Sequence, residues 1–307
     1  MLHATVTNIA RWDGASFSPL GSGLTAAPGP LSSGIDVAAM VTRANGDLFV
    51  CGRFATAGGV AANNVALWDG TSWSALGSGL LGQTIYSGWL SSADGLPNGD
   101  LVVGATLPAG GTFVGTVQRW DGASWTQYGP NIGELGVQVL SMPAGLVAAS
   151  TEIGQFDGST WQPLDGSGAT NAEIRAVVGL PNGDVVVAGT ISSINGTAVS
   201  NIALWNGSSW SSMAGGVDGQ VQHLAAGPSG EVIASGLFEN AGGAPAYRIA
   251  RWDGTSWSPL GTGAPVACVV AVQPDGSVIA RTSGYQSSRD LLAWIDRALG
   301  PARTTSP

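Results

Sequence analysis

The chain has 307 residues, of which 44% are hydrophobic and only 10% charged, with 48 Gly and 12 Trp; that balance suits many short strands and tight turns and leaves little material for helices. The net charge of −9 argues against nucleic acid or an anionic membrane as partner, since either would be repelled. Cys51 and Cys268 are too few for a disulfide framework, have no metal-site spacing and read as buried free thiols. No apolar run reaches the roughly 18 residues of a membrane span, and Met1-Leu2-His3-Ala4 lacks the charged and apolar parts of a signal peptide.

The first recurring element opens at Trp12-Asp13-Gly14-Ala15-Ser16-Phe17 and returns at residues 68–73, 120–125, 156–161, 205–210 and 252–257, always aromatic, Asp or Asn, Gly, two small residues, aromatic. Asp-Gly or Asn-Gly between apolar runs is a strong hairpin signal, because Gly accepts positive φ and Asp or Asn tolerates it. Each copy is therefore a hairpin with an aromatic on either arm. The ten Trp of these copies read as core, because they recur whatever the intervening loops do.

A second element alternates with the first. Residues 37–52 form an apolar strand, the turn Asn45-Gly46-Asp47 and a second apolar strand; the pattern returns before Gly104, Gly189 and Gly236, in contracted form at residues 137–148, and last at residues 267–280. With its strands lettered A and B, and the arms of the aromatic hairpin C and D, every repeat is a four-stranded antiparallel meander. Strand B carries apolar residues at consecutive positions, the pattern of a strand packed on both faces.

Six hairpins whose first aromatics are residues 12, 68, 120, 156, 205 and 252 give a period near that of a propeller blade. The fold class is all-β: a six-bladed β-propeller of four-stranded antiparallel blades over residues 1–286, read as one domain. The chain opens with a C-D hairpin (residues 8–20) and its last A-B pair is 267–280, so the two ends complete one blade. Residues 287–307 fit a short helix with Ser288 as cap, a Leu291, Leu292, Ile295, Ala298, Leu299 stripe and a Gly300-Pro301 stop.

The order apolar strand, Gly, long loop, aromatic-Asp hairpin, Trp resembles the kelch repeat and related bacterial propeller repeats, over residues 8 to about 285. Of the kelch Gly-Gly doublet only the second Gly remains, as Gly52, Gly104, Gly189 and Gly236. The resemblance extends to galactose-oxidase-like propellers and there implies a copper site with two His, Tyr ligands and a Tyr-Cys crosslink. This chain has only His3 and His223, so copper chemistry is not expected, and neither metal nor cofactor is. No Ser-His-Asp order, Cys-His pair, phosphate loop or calcium loop stands out.

In an A-B-C-D meander the B-C and D-A connections share one face. They are the long segments here, among them residues 53–64, 105–116, 191–201 and 237–248, and ligands favour such loops on a rigid frame. Counting back from the A-B turns puts Asp36, Trp89, Gly136, Glu173 and Gln220 at the mouth, then Ala38, Ser91, Gln138, Arg175 and Gln222, then an apolar row of Met40, Leu140, Val177, Leu224 and Val270. Trp89 and Tyr86 could stack a sugar among these polar groups. The expected binding set is Asp36, Tyr86, Trp89, Gln138, Glu173, Arg175, Gln220 and Gln222, with no catalytic residue. The expected function is a non-catalytic, monomeric recognition module for a glycan or protein, extracellular or at the cell surface. The alternatives are a polysaccharide lyase or glycoside hydrolase using Glu173, Arg175 and Asp36, and a structural unit of a surface assembly.

Overall fold

The computed structural model describes residues 9–12, 17–26, 35–80, 89–134, 136–164, 170–260, 268–272 and 278–282; Tyr86, His3 and the expected helix at 287–307 lie outside them. All regular structure among these residues is β. The chain divides into two compact units, Met1–Pro163 and Leu164–Pro307.

The first unit opens with the hairpin Ala10–Trp12 and Phe17–Pro19. Three four-stranded antiparallel sheets follow in sequential order. Their strands are Asp36–Thr42, Leu48–Arg53, Val65–Trp68 and Trp73–Ala75; Trp89–Gly95, Leu101–Ala109, Thr112–Trp120 and Trp125–Gln127; and Gln138–Met142, Gly145–Ala149, Ile153–Phe156 and Trp161–Pro163. The A strands of successive sheets lie side by side.

The second unit repeats the pattern. One sheet holds Thr170–Gly179, Val185–Ile194, Ile202–Trp205 and Trp210–Ser212, with Thr197–Ala198 folded back on strand B. The next holds Val221–Ala226, Val232–Gly236, Ile249–Trp252 and Trp257–Pro259. Cys268–Val272 and Val278–Thr282 pair as a final hairpin, and here too the A strands are neighbours.

Strand B is buried on both faces, because its alternate residues enter different cores. Val50 packs with Leu24, Phe54 and Trp73, whereas Phe49 and Cys51 pack with Leu90, Leu101 and Val103 of the following sheet. Val102 then faces Val117, Ile132, Val137 and Val139. Each core is thus shared by consecutive sheets, and no meander could close one alone.

The aromatic hairpins tie these sheets together. The two aromatics of a copy are cross-strand partners with ring centroids 5.0–5.5 Å apart. The second Trp also donates its indole N–H to a carbonyl at the end of the preceding repeat: Trp73 to Leu20 (2.8 Å), Trp125 to Leu76 (3.0 Å), Trp161 to Pro130 (2.9 Å) and Trp257 to Met213 (2.7 Å). The turn between the aromatics is a four-residue loop closed from Asp69 N–H to Ser72 O (3.2 Å). The Asp69 carboxylate accepts the Thr71 and Ser72 N–H groups at 2.8 and 2.7 Å, so the Asp serves as an acceptor within the loop.

A bulge interrupts strand A in four sheets, at Ala38, Ser91, Arg175 and Gln222. Opposite it the backbones almost touch: a Cβ on Gly52, Gly189 or Gly236 would lie 1.9–2.1 Å from the carbonyl oxygen of Asp36, Glu173 or Gln220. That crowding is why the position is Gly. The alignment of Gly104 with these three is off by one, because Ala105 occupies the equivalent place, opposite Leu90. Gly104 answers a different constraint: its Cβ would meet Val137 O of the next sheet at 1.9 Å. There Ser92 Oγ accepts Val139 N–H (2.8 Å) and donates to Val137 O (3.1 Å), and Asp94 accepts Ser141 N–H (2.7 Å), so side chains satisfy a strand edge that no neighbouring strand pairs.

Candidate functional site

The long connections are themselves small β structures. In the first unit Thr56–Ala57 and Val60–Ala61 form a miniature hairpin, and Leu24–Thr25, from the preceding D-A connection, adds a third strand to it. In the second unit Asn240–Ala241 pairs with Ala244–Pro245, and Val217 bridges to Ala241. Phe54, Ala57 and Ala62, and likewise Phe238, Ala241 and Ala246, are buried beneath these hairpins. The B-C and D-A segments therefore share one face within each unit, as a β-paired rim.

Two Asn residues that the sequence reading passed over hold this rim. Asn64 (φ 78°) and Asn201 (φ 61°) stand just before strand C in a left-handed conformation that Asn tolerates. Asn64 donates its amide to Leu80 O (2.8 Å) and accepts Phe54 N–H (3.2 Å); Asn201 donates to Val217 O (2.9 Å) and accepts Ile191 N–H (3.4 Å). Their signal was visible as Asn-Val/Ile-Ala-Leu-Trp, written once in each unit.

Within the first unit, Asp36 opens its strand opposite Arg53, half-buried, and Trp89 opens the next opposite Thr106. Trp89 is 42% exposed and rests against Phe113, ring centroids 5.3 Å apart. Every other described Trp whose side chain is placed is buried or half-buried. Gln138 is half-buried and donates to Gly136 O (3.2 Å), and Gly136 N–H reaches Oγ1 of the fully buried Thr106 (3.1 Å), so Trp89, Gly136 and Gln138 are gathered around that buried residue.

Within the second unit, Glu173 and Arg175 form an ion pair at 2.8 Å, both exposed. Glu173 is paired with Thr190 across the ladder, and Thr190 Oγ1 accepts the Gln220 amide (2.9 Å). Glu173, Arg175, Thr190 and Gln220 therefore converge, whereas Gln222, at the bulge, is half-buried and His223 beside it is too. A bulge breaks the two-residue alternation, so the two rows counted from the turns do not stack as simple layers. Of the apolar row, Met40 is 37% exposed and Leu140, Val177 and Leu224 are half-buried.

Among the described residues no group of three or more His, Cys, Asp or Glu converges to hold a metal, and no helix is long and apolar enough to cross a membrane. Cys51 is free and fully buried, and desolvation pushes its thiol up to about 12.

No protein-family model matches the chain, and no curated protein sequence does. Similar solved structures include the calcium-binding protein regucalcin from Agrobacterium tumefaciens (9% identity, TM-score 0.40, 86% of this chain and 74% of that one). They also include YCF48 bound to a D1 peptide (17%, 0.44, 82% and 76%) and the WD40 β-propeller domain of Doa1 (13%, 0.30, 65% and 89%). At these levels none of them lends the chain a ligand or an activity.

Proposed function

We propose that the chain is a recognition module, a six-bladed propeller that binds a glycan on its long-connection face and acts at a cell surface or outside the cell. Five four-stranded meanders and two terminal hairpins, which together would supply a sixth, support the propeller reading. The observation that carries the binding assignment is Trp89. The nine hairpin Trp whose side chains are described are buried or half-buried, but Trp89 leaves an aromatic face in solvent, braced by Phe113 and near the half-buried Gln138. A rigid ring beside hydrogen-bonding groups suits the apolar face and hydroxyls of a sugar.

A glycan array followed by calorimetric titration of the best hit tests this. Trp89→Ala should weaken binding about tenfold or more, corresponding to about 1.4 kcal/mol, in a protein that remains folded by circular dichroism. An array without hits, or a hit indifferent to Trp89→Ala, would refute it. Release of reducing ends or unsaturated uronates from a polysaccharide panel, lost in Glu173→Gln, would instead assign an enzyme centred on the Glu173–Arg175 pair.

A further inference from the structure

The second unit holds a cleft of about 290 Å³ lined by Thr190, Ser192, Ser200 and Asp218 above a floor of Ile191, Val199 and Val217. The same B-C connection occurs in three repeats with the same backbone bonds. Asn64 N–H reaches Phe54 O, Asn201 reaches Ile191 O and Arg248 reaches Phe238 O (2.8–2.9 Å), while Ala62 pairs with Ala55 O, Val199 with Ser192 O and Ala246 with Glu239 O (2.8–3.1 Å). The side chains differ. Where two repeats carry Arg53, Ala55 and Asn63, or Leu237, Glu239 and Tyr247, this one carries Thr190, Ser192 and Ser200. Of the three loops only this one has a small hydroxyl residue at all three positions, and all three line the cleft.

Its chemistry is specific. Thr190 Oγ1 already accepts the Gln220 amide, which leaves its hydroxyl proton for a ligand, and the Ser192 and Ser200 hydroxyls can donate or accept. Asp218 accepts Glu239 N–H (2.8 Å), Asn240 N–H (2.9 Å) and the Asn240 amide (2.6 Å). A carboxylate has about four lone-pair positions, so one remains for a ligand hydroxyl, in a charge-assisted bond. Desolvation raises the Asp218 pKa, but the bonds from Asn240 and Glu239 outweigh it and hold the group below the usual carboxylate range, so it is ionised at neutral pH. No cationic residue lines the cleft, so an anion has no partner there. The floor, with Ile191 and Val217 at 2% and Val199 at 7% exposure, is apolar.

We infer that this cleft is a second binding site, selective for a neutral pyranose whose hydroxyls meet Thr190, Ser192, Ser200 and Asp218 while its C–H face covers Val199. The space is just below the roughly 300–1,000 Å³ of pockets for drug-sized ligands, which suits one sugar ring. The site is independent of Trp89, and its test separates the two.

The probes are methyl pyranosides of glucose, galactose and mannose, with glucuronate as the charged comparator, followed by ligand-observed NMR against the full chain. The decisive variant is Thr190→Leu/Ser200→Tyr, which installs the side chains of the equivalent loop. Ser200 does not share the positive φ of Tyr247 (46°), so the larger residue meets no backbone strain. A neutral pyranoside should bind saturably and glucuronate should not. The double variant should weaken that binding about tenfold or more at unchanged melting temperature, with Trp89→Ala leaving it in place. If no neutral pyranoside binds, if glucuronate binds as well, or if binding survives the double variant, the proposal fails; loss only in Trp89→Ala would leave the Trp89 site standing without this one. Should the double variant melt early, Ser192→Glu, again a side chain of the equivalent loop, gives the same readout.

Discussion

Trp257→Phe isolates the hydrogen bond by which each hairpin grips the repeat before it. Trp257 is 9% exposed and its indole N–H lies 2.7 Å from Met213 O, itself in a residue 2% exposed. Phe keeps most of the ring but not the donor, so the Met213 carbonyl is left with only the Gly216 N–H (2.9 Å) where water has little access to replace the lost bond; a hydrogen bond of this kind contributes about 0.5–1.5 kcal/mol net. The smaller ring gives up roughly a further 1 kcal/mol of apolar burial. Trp73→Phe, which leaves Leu20 O with only the Gly23 N–H (3.1 Å) beneath a 7% exposed ring, should cost the same. Trp161 makes the same bond to Pro130 O in an exposed setting, where water can replace the donor, so Trp161→Phe should cost less than about 1 kcal/mol. Urea unfolding followed by far-ultraviolet circular dichroism compares the three midpoints at constant m. Equal losses at Trp161 and Trp257, or no loss at Trp257 and Trp73, would refute the claim that the buried indole bond is what counts.

Gly189→Ala forces a Cβ to within 1.9 Å of Glu173 O and should destabilise by about 3 kcal/mol or more, whereas Gly95→Ala, whose Cβ would find only Val41 Cγ1 at 3.8 Å, should leave the melting temperature unchanged. Acid sensitivity should reside partly in the hairpin turns: hydrogen bonds from the backbone and hydroxyls of the following residues hold Asp69, Asp157 and Asp253 below the usual carboxylate range. A depressed folded-state pKa gives stability that is complete above the unfolded carboxylate value, about 4, and lost as pH falls through the folded value. The triple Asp→Asn variant should therefore show a flatter decline of melting temperature between neutral pH and pH 2, since Asn206 builds the same turn without a charge. Cys51 should stay unmodified by iodoacetamide at pH 8 in the folded protein and react on unfolding, as peptide mapping would show; labelling of the native thiol would contradict its burial.

Much of the architecture follows from local chemistry. The turn chemistry of Asn45-Gly46-Asp47 and Trp68-Asp69-Gly70 places strand pairs correctly because hairpin closure involves only neighbours in the chain, and the double burial of strand B is written in its consecutive apolar residues. The polar character of Glu173, Arg175 and Gln220 was readable too, as was the oddity of a Trp at residue 89 outside any hairpin. The bulges were not: an extra residue at Ala38 or Arg175 is an agreement between two strands about register, and neither strand alone carries its signal. Gly104 shows the same limit, since it matched Gly52 by spacing yet is Gly because of Val137 on another sheet.

What the amino-acid sequence determined by itself is the succession of strands, turns and aromatic arms, since each is set by contacts only a few residues long. The tertiary structure alone decided which side chains hold one sheet to the next, that the long connections are a rim braced by Asn64 and Asn201, and that Thr190, Ser192 and Ser200 of one loop line a cleft with Asp218. Those features depend on distances between segments 10 to 53 residues apart, which packing fixes and no local pattern records.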